Sequence, residues 1–179
     1  MTSAKPQRGF IMPLGVLIMK DDSGAIFEPR QGYRKYAMTN QTYRTQYLVV
    51  CSADRIENLL YSLVHAYFPK NVYGIIEFFS LQEKDKSEVE TYLSTSLDRD
   101  DILAVFKSYI FQLLNDGQIA FGIAWQEGNQ HEEIFVDDHK IITVMTSQEL
   151  VVNRYWLMPA SRRCLILSLS ANMPTAIST

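Results

Sequence analysis

The hydrophobic period of this chain changes sharply at Gly117, and that change limits what the chain can fold into. Before it, Ile102, Val105, Phe106, Tyr109, Ile110 and Leu113 recur at i, i+3, i+4, i+7, i+8 and i+11, the spacing of one face of an α-helix. After it, Ile119, Phe121, Ile123 and Trp125 alternate with Ala120, Gly122 and Ala124, the period of a strand. Asp98, Asp100 and Asp101 stand where carboxylates meet the positive end of the peptide dipoles, and Asn115-Asp116-Gly117 supplies a left-handed stop. A helix over about residues 98–115 is therefore expected to feed a run of short antiparallel strands ending near residue 147. The small-residue side of the first strand predicts close approach by a neighbour, here a helix of the same domain.

A second stripe of the same kind, Ile56, Leu59, Leu60, Leu63, Val64 and Tyr67, predicts a helix over about residues 54–68, opened by Asp54 with Glu57 and closed before Pro69. Strands are expected on either side of it, at residues 46–51 and 72–79. Val89, Thr91 and Leu93 alternate with Glu88, Glu90 and Tyr92, which reads as an edge strand, with a helix over residues 87–94 as the alternative. The order strand-helix-strand, strand-helix-strand over residues 46–126 predicts an α+β fold. Specifically, it suits a ferredoxin-like sandwich, two helices on a mainly antiparallel sheet, extended by a C-terminal hairpin. That hairpin joins residues 131–136 to 141–146 and pairs Val136 with Ile141. A short strand at 14–19, a turn at 21–24, a charged loop at 82–86, a helix from Ser147 to Trp156 and a last strand at 163–169 complete the expectation.

At 179 residues and 47% hydrophobic content the chain has material for one full core, so a single domain is expected, with residues 1–13 and 171–179 as loose tails. No apolar run approaches the roughly 20 residues that span a bilayer, and the apolar stretch near the start lacks a basic leader and a small-residue cleavage site. A cytoplasmic location follows as the expectation. Cys51 and Cys164 each lie in an apolar run, where a thiol behaves as a small hydrophobe, and they form no metal-binding pair by spacing.

Three clusters carry candidate chemistry. Residues 82–101 hold seven acids against three bases; among them Glu88, Glu90, Asp98, Asp100 and Asp101 form a candidate face for a basic protein partner. Residues 131–139 hold His131, Glu132, Glu133, Asp137, Asp138 and His139, a composition suited to a divalent metal. Positions 133 and 137 on one strand lie about 13 Å apart at roughly 3.3 Å per residue, so only the Asp137, Asp138, His139 turn survives as a metal candidate, and it needs ligands from elsewhere. Residues 33–47 interleave Arg34, Lys35 and Arg44 with Tyr33, Tyr36, Tyr43 and Tyr47, a mixture able to grip single-stranded nucleic acid, or else a hairpin with its tyrosines flat on the core. His65 falls one step from the first helical stripe, at the edge of the expected core.

No G-x-S-x-G, P-loop, dinucleotide fingerprint or HExxH occurs, and three histidines offer little for a distributed active site. The first expectation is a non-catalytic protein-binding module without cofactor, an acidic inhibitor comparable in size and charge to immunity-type proteins that neutralise a partner. A metal-dependent hydrolase at Asp137, Asp138 and His139, and a single-stranded nucleic-acid binder at residues 33–47, are the alternatives.

Overall fold

The computed structural model describes residues 10–14, 31–38, 43–80 and 88–147. In chain order they form β1 (Gly32–Ala37), β2 (Thr45–Val50), α1 (Ala53–Tyr67), β3 (Asn71–Ser80), β4 (Glu88–Leu93), β5 (Leu97–Asp98), α2 (Arg99–Ser108), α3 (Ile110–Asn115), β6 (Ile119–Glu127), β7 (Gln130–Val136) and β8 (Ile142–Thr146). The elements expected at residues 14–19, 21–24, 82–86, 147–156 and 163–169 lie, but for Leu14 and Ser147, outside the described residues, as do residues 1–9, the tail at 171–179 and Cys164. Residues 10–14 lie within or beside the stretch expected to be loose, yet Phe10 is buried and Ile11 exchanges backbone contacts with the start of α1.

The class is α+β, a mainly antiparallel sheet in the order β1-β2-β8-β7-β6-β3-β4, with β5 paired to β3. The ferredoxin-like arrangement places one strand between the two strands of each strand-helix-strand unit. Here β4 and β6 do flank β3, but β2 and β3, the strands on either side of α1, are separated by β8, β7 and β6. The hairpin expected as an extension is instead inserted into the middle of the sheet, because both of its edges find partners in β2 and β6.

The register puts Tyr47, Val49, Ile142, Val144, Ile134, Val136, Phe121 and Ile123 on one face, and all are buried beneath the helices. Phe106 of α2 meets Phe121 edge-on, centroids 5.2 Å apart at 80°. Ile102 approaches Gly74 of β3, where an added Cβ would lie 3.3 Å from its Cγ2. The α1 stripe buries Ile56, Leu60, Leu63, Val64 and Tyr67, with Leu59 at its margin. Tyr61 links the helices by donating to the Leu103 carbonyl at 2.7 Å.

The second helix departs from the expected single rod. Tyr109 leaves helical geometry at φ −116° and ψ 15°, its amide bonds Phe106 O one residue early, and the segment divides into α2 and α3. The buried set becomes Ile102, Leu103, Phe106, Leu113 and Leu114. Val105 and Tyr109, expected in the stripe, are exposed at 53% and 58%.

The small-residue side of β6 is approached by a side chain rather than by a helix. Phe135 stands directly across from Gly122 in the neighbouring strand, and a Cβ on Gly122 would fall 2.5 Å from the Ile134 carbonyl oxygen and 2.7 Å from Phe135 Cδ2. The helices occupy the opposite, bulky side. The hairpin register also differs by one residue, Val136 pairing with Ile142. Lys140 causes the slip: its amide bonds Asp137 O at 3.0 Å, it then takes φ +62°, and Asp137 N reaches Ile141 O at 3.1 Å. That is a three-residue loop with a left-handed third residue, a position glycine usually fills. Because side chains alternate, the one-residue shift decides that Ile142, Val144 and Thr146 face inward.

Candidate functional site

The acidic residues that are close in sequence are not gathered in space. Glu88 pairs with Ser80 at one end of β3 and Asp98 with Asn71 at the other, nine residues of strand apart, about 30 Å at roughly 3.3 Å per residue. Asp98 caps α2 by accepting from Asp100 N at 2.9 Å and pairs with Lys70 at 3.3 Å; the amide bond, foremost, holds its carboxyl below the ordinary value. Asp100 faces Arg99 at 3.0 Å and His65 at 3.8 Å, so His65 sits on an exposed helix surface rather than at the core edge. Asp101 is exposed on α2. The helix start is thus largely matched by its own cations.

Glu88 and Glu90 belong to a different surface, an edge of the sheet that no further strand pairs among the described residues. All six residues of β4 are exposed, among them Val89 (45%), Tyr92 (56%) and Leu93 (64%). Phe78 of β3 is exposed beside them and meets the Tyr92 ring edge-on at 5.8 Å. Tyr92 also donates to Glu90 at 2.9 Å, and that carboxylate raises the pKa of the phenol. A depression opens next to the strand, lined by Phe78, Phe79, Glu90, Gln118 and Ile119. Periodicity indicated an edge strand here; it gave no sign that its apolar residues would stay in water.

The hairpin turn does bring Asp137, Asp138 and His139 together, with one ligand-type atom from each inside 4.8 Å. Their contacts are internal, however. Asp137 Oδ1 accepts from Ile141 N at 2.8 Å, and His139 Nδ1 lies 2.9 Å from Asp138 Oδ1. The positive charge is already supplied by Lys140, only 3% exposed, whose Nζ donates to the Ile119 carbonyl. Burial pushes this ammonium down to about 8, against the opposing pull of Asp137, Asp138 and Asp116. Burial likewise raises the Asp137 carboxyl. Chemically the cluster is a staple: it fixes the turn and fastens it to the start of β6.

His131 and Glu133 pair with each other at 3.2 Å on the uncovered face, away from that turn. Glu132, on the other side of the same strand, is 1% exposed. Its Oε1 accepts the Ser147 amide at 3.0 Å and the Ser147 hydroxyl, while Oε2 has no hydrogen-bond partner among the described residues. Sequence reasoning grouped these three as one cluster because alternation of faces separates neighbours that composition places together.

The basic and aromatic tract is divided in the same way. Tyr47 is fully buried and Tyr33 leans on it at 6.1 Å, both on the helix-covered face. Arg34 and Tyr36 occupy the reverse face, where the guanidinium lies 6.0 Å from the ring centroid and donates to the phenol at 3.3 Å. Tyr43 packs on His131, centroids 6.0 Å apart, and Arg44 is exposed at the start of β2. The tract is thus split between the two faces of the sheet, Tyr33, Lys35 and Tyr47 on the helix-covered one and Arg34 and Tyr36 on the reverse.

No helix among the described residues is long and apolar enough to cross a membrane. Comparison with protein-family models, with curated proteins and with solved structures gave no match.

Proposed function

We propose that this chain is a non-catalytic protein-binding module whose recognition element is the edge strand β4. The observation that carries the reading is the exposure of all six residues of β4, the last strand of the sheet among the described residues, apolar ones included. An edge of this kind is a template for an added strand, with backbone bonds giving affinity and alternate side chains giving selectivity. Native sheets blunt such edges with charge, and Glu88 and Glu90 do so only in part, since Val89, Tyr92 and Leu93 stay in water. The separation of Glu88 and Glu90 from Asp98, Asp100 and Asp101 moves the binding element from an acidic face for a basic partner to an apolar edge with an acidic border. Neutralisation of a partner, the inhibitor role, is one form such binding takes.

The test is Thr91→Pro, an edge substitution that removes one backbone donor and obstructs an incoming strand. A protein that co-purifies with the wild-type chain from the cells that make it is expected to be lost with this variant. Identical recovery with both chains would remove β4 from the proposal.

A further inference from the structure

The backbone polarity of β4 fixes what an added strand must look like. Ser94 N bonds Gly74 O at 2.9 Å and Phe79 N bonds Gln118 O at 2.8 Å, so even-numbered residues of β3 turn toward β4 and odd-numbered ones toward β6. Alternation then points the amides and carbonyls of Glu88, Glu90 and Tyr92 at β3, and those of Val89, Thr91 and Leu93 outward. Side-chain faces alternate in the same step: Glu90 and Tyr92 share the helix-covered side with Ile76 and Phe78, and Val89, Thr91 and Leu93 share the reverse side with Glu77 and Phe79.

We infer that the strand received by β4 is β4 of a second copy, paired antiparallel about a two-fold axis through Thr91. This rests on the reading of β4 as a binding edge and names its partner. A two-fold axis perpendicular to the sheet keeps the helices of both copies on one side and requires partners of equal parity. Centred on Thr91, it sets Val89 against the second copy's Leu93 and Thr91 against its own counterpart, all through outward-facing backbone groups that exchange six hydrogen bonds. On the helix side it sets Glu90 against Tyr92 and Glu88 against Ser94.

Apart from Thr91 against its own counterpart, every pair is then apolar with apolar, or a carboxylate opposite a hydroxyl-bearing side chain. Moving the axis to Glu90 would oppose two carboxylates directly, which is unfavourable. Moving it to Tyr92 would leave Val89 without an apolar partner. The tyrosine opposite Glu90 arrives beside the depression that Phe78, Glu90 and Ile119 line. In this register the carboxylates that would repel a second acidic copy face hydroxyls instead.

Light scattering of the purified full chain after size exclusion tests the pairing. The wild type is expected at twice the 20.6 kDa of one chain, and Thr91→Pro at one, with unchanged circular dichroism. The register is tested separately: Val89→Lys with Leu93→Lys opposes like charges and should give monomers, whereas Val89→Lys with Leu93→Glu opposes unlike charges and should restore the dimer. A wild-type chain that stays monomeric at high concentration overturns the second-copy proposal, and T91P-sensitive capture of a different protein would then leave the binding edge standing. A dimer untouched by Thr91→Pro overturns both. A dimer lost in Thr91→Pro but equal in the two lysine variants overturns the Thr91 register.

Discussion

Two antiparallel ribbons of one sheet, β7–β8 and β3–β4, treat their residues in opposite ways. The first is flanked on both sides, by β6 and β2, and buries Ile134, Val136, Ile142 and Val144 completely. It also takes charge inside: Glu132 and Lys140 are among the few buried charged residues. The second ends in β4, whose outer side meets no strand among the described residues, and leaves Val89, Tyr92 and Leu93 in water. Position in the sheet, not side-chain type, decides which polar groups become structural and which apolar groups become surface. The charged cluster that composition marks as chemical fastens the turn to β6, and the alternating run expected as an edge strand keeps its apolar residues on the surface.

The largest expected effect lies at Gly122, where the inserted ribbon leaves no room for a side chain. Gly122→Val would place its first carbon 2.5 Å from a backbone oxygen that cannot yield without moving β7, and should cost about 3 kcal/mol or prevent folding. At Gly74 the nearest atom is the Ile102 Cγ2 methyl at 3.3 Å, a side-chain contact that can give by a few tenths of an ångström, so Gly74→Ala should cost about 1 kcal/mol. Urea titrations of the two variants measure the difference, and equal midpoints would remove the Phe135-over-Gly122 packing from the account.

The next effect is the pH dependence contributed by the turn of the central ribbon. The Lys140 ammonium is held down to about 8 in the fold, below its ordinary value, so the unfolded chain binds more protons between these two limits. Stability should therefore rise with pH, by about 2 kcal/mol from pH 7 to 9.5 for this group alone. Lys140→Met should flatten that rise. Asp137 acts at the other end: burial raises its carboxyl, so its contribution is lost as pH climbs from the ordinary carboxylate value through the raised one.

Legibility of the fold followed the same division between local and non-local causes. The α1 stripe, the helix stop near Gly117 and the exact span of β4 were readable because neighbours in sequence determine them. The insertion of β7–β8 between β6 and β2 was not, because an alternating ribbon with two apolar-compatible edges pairs equally well at the end of a sheet or within it. The hairpin register was misplaced by one residue because a lysine occupies the left-handed position where glycine would have signalled the bulge. The acidic face dissolved for a geometric reason: β3 carries Glu88 and Asp98 to opposite ends. Only Glu88 and Glu90, on a strand already recognised as an edge, stayed with the candidate site.

The smallest effect is also the cleanest way to compare the two ribbons, since it uses one substitution twice. Val144 in β8 is 1% exposed and Val89 in β4 is 45% exposed, and both are replaced by threonine. Valine and threonine are both β-branched and similar in volume, so backbone preference largely cancels and what remains is the burial of a hydroxyl. At Val144 the hydroxyl would enter an apolar layer between Tyr47 and Ile134, at a cost of about 1–2 kcal/mol. At Val89 water meets it, and the change should stay within about 0.5 kcal/mol in a dilute, monomeric sample. At concentrations where copies associate, the same Val89→Thr chain should lose part of its affinity for the second copy, because Val89 then faces Leu93. A Val89 variant as costly as the Val144 one under dilute conditions would mean that β4 is covered within a single chain, and the edge would have nothing left to offer a partner.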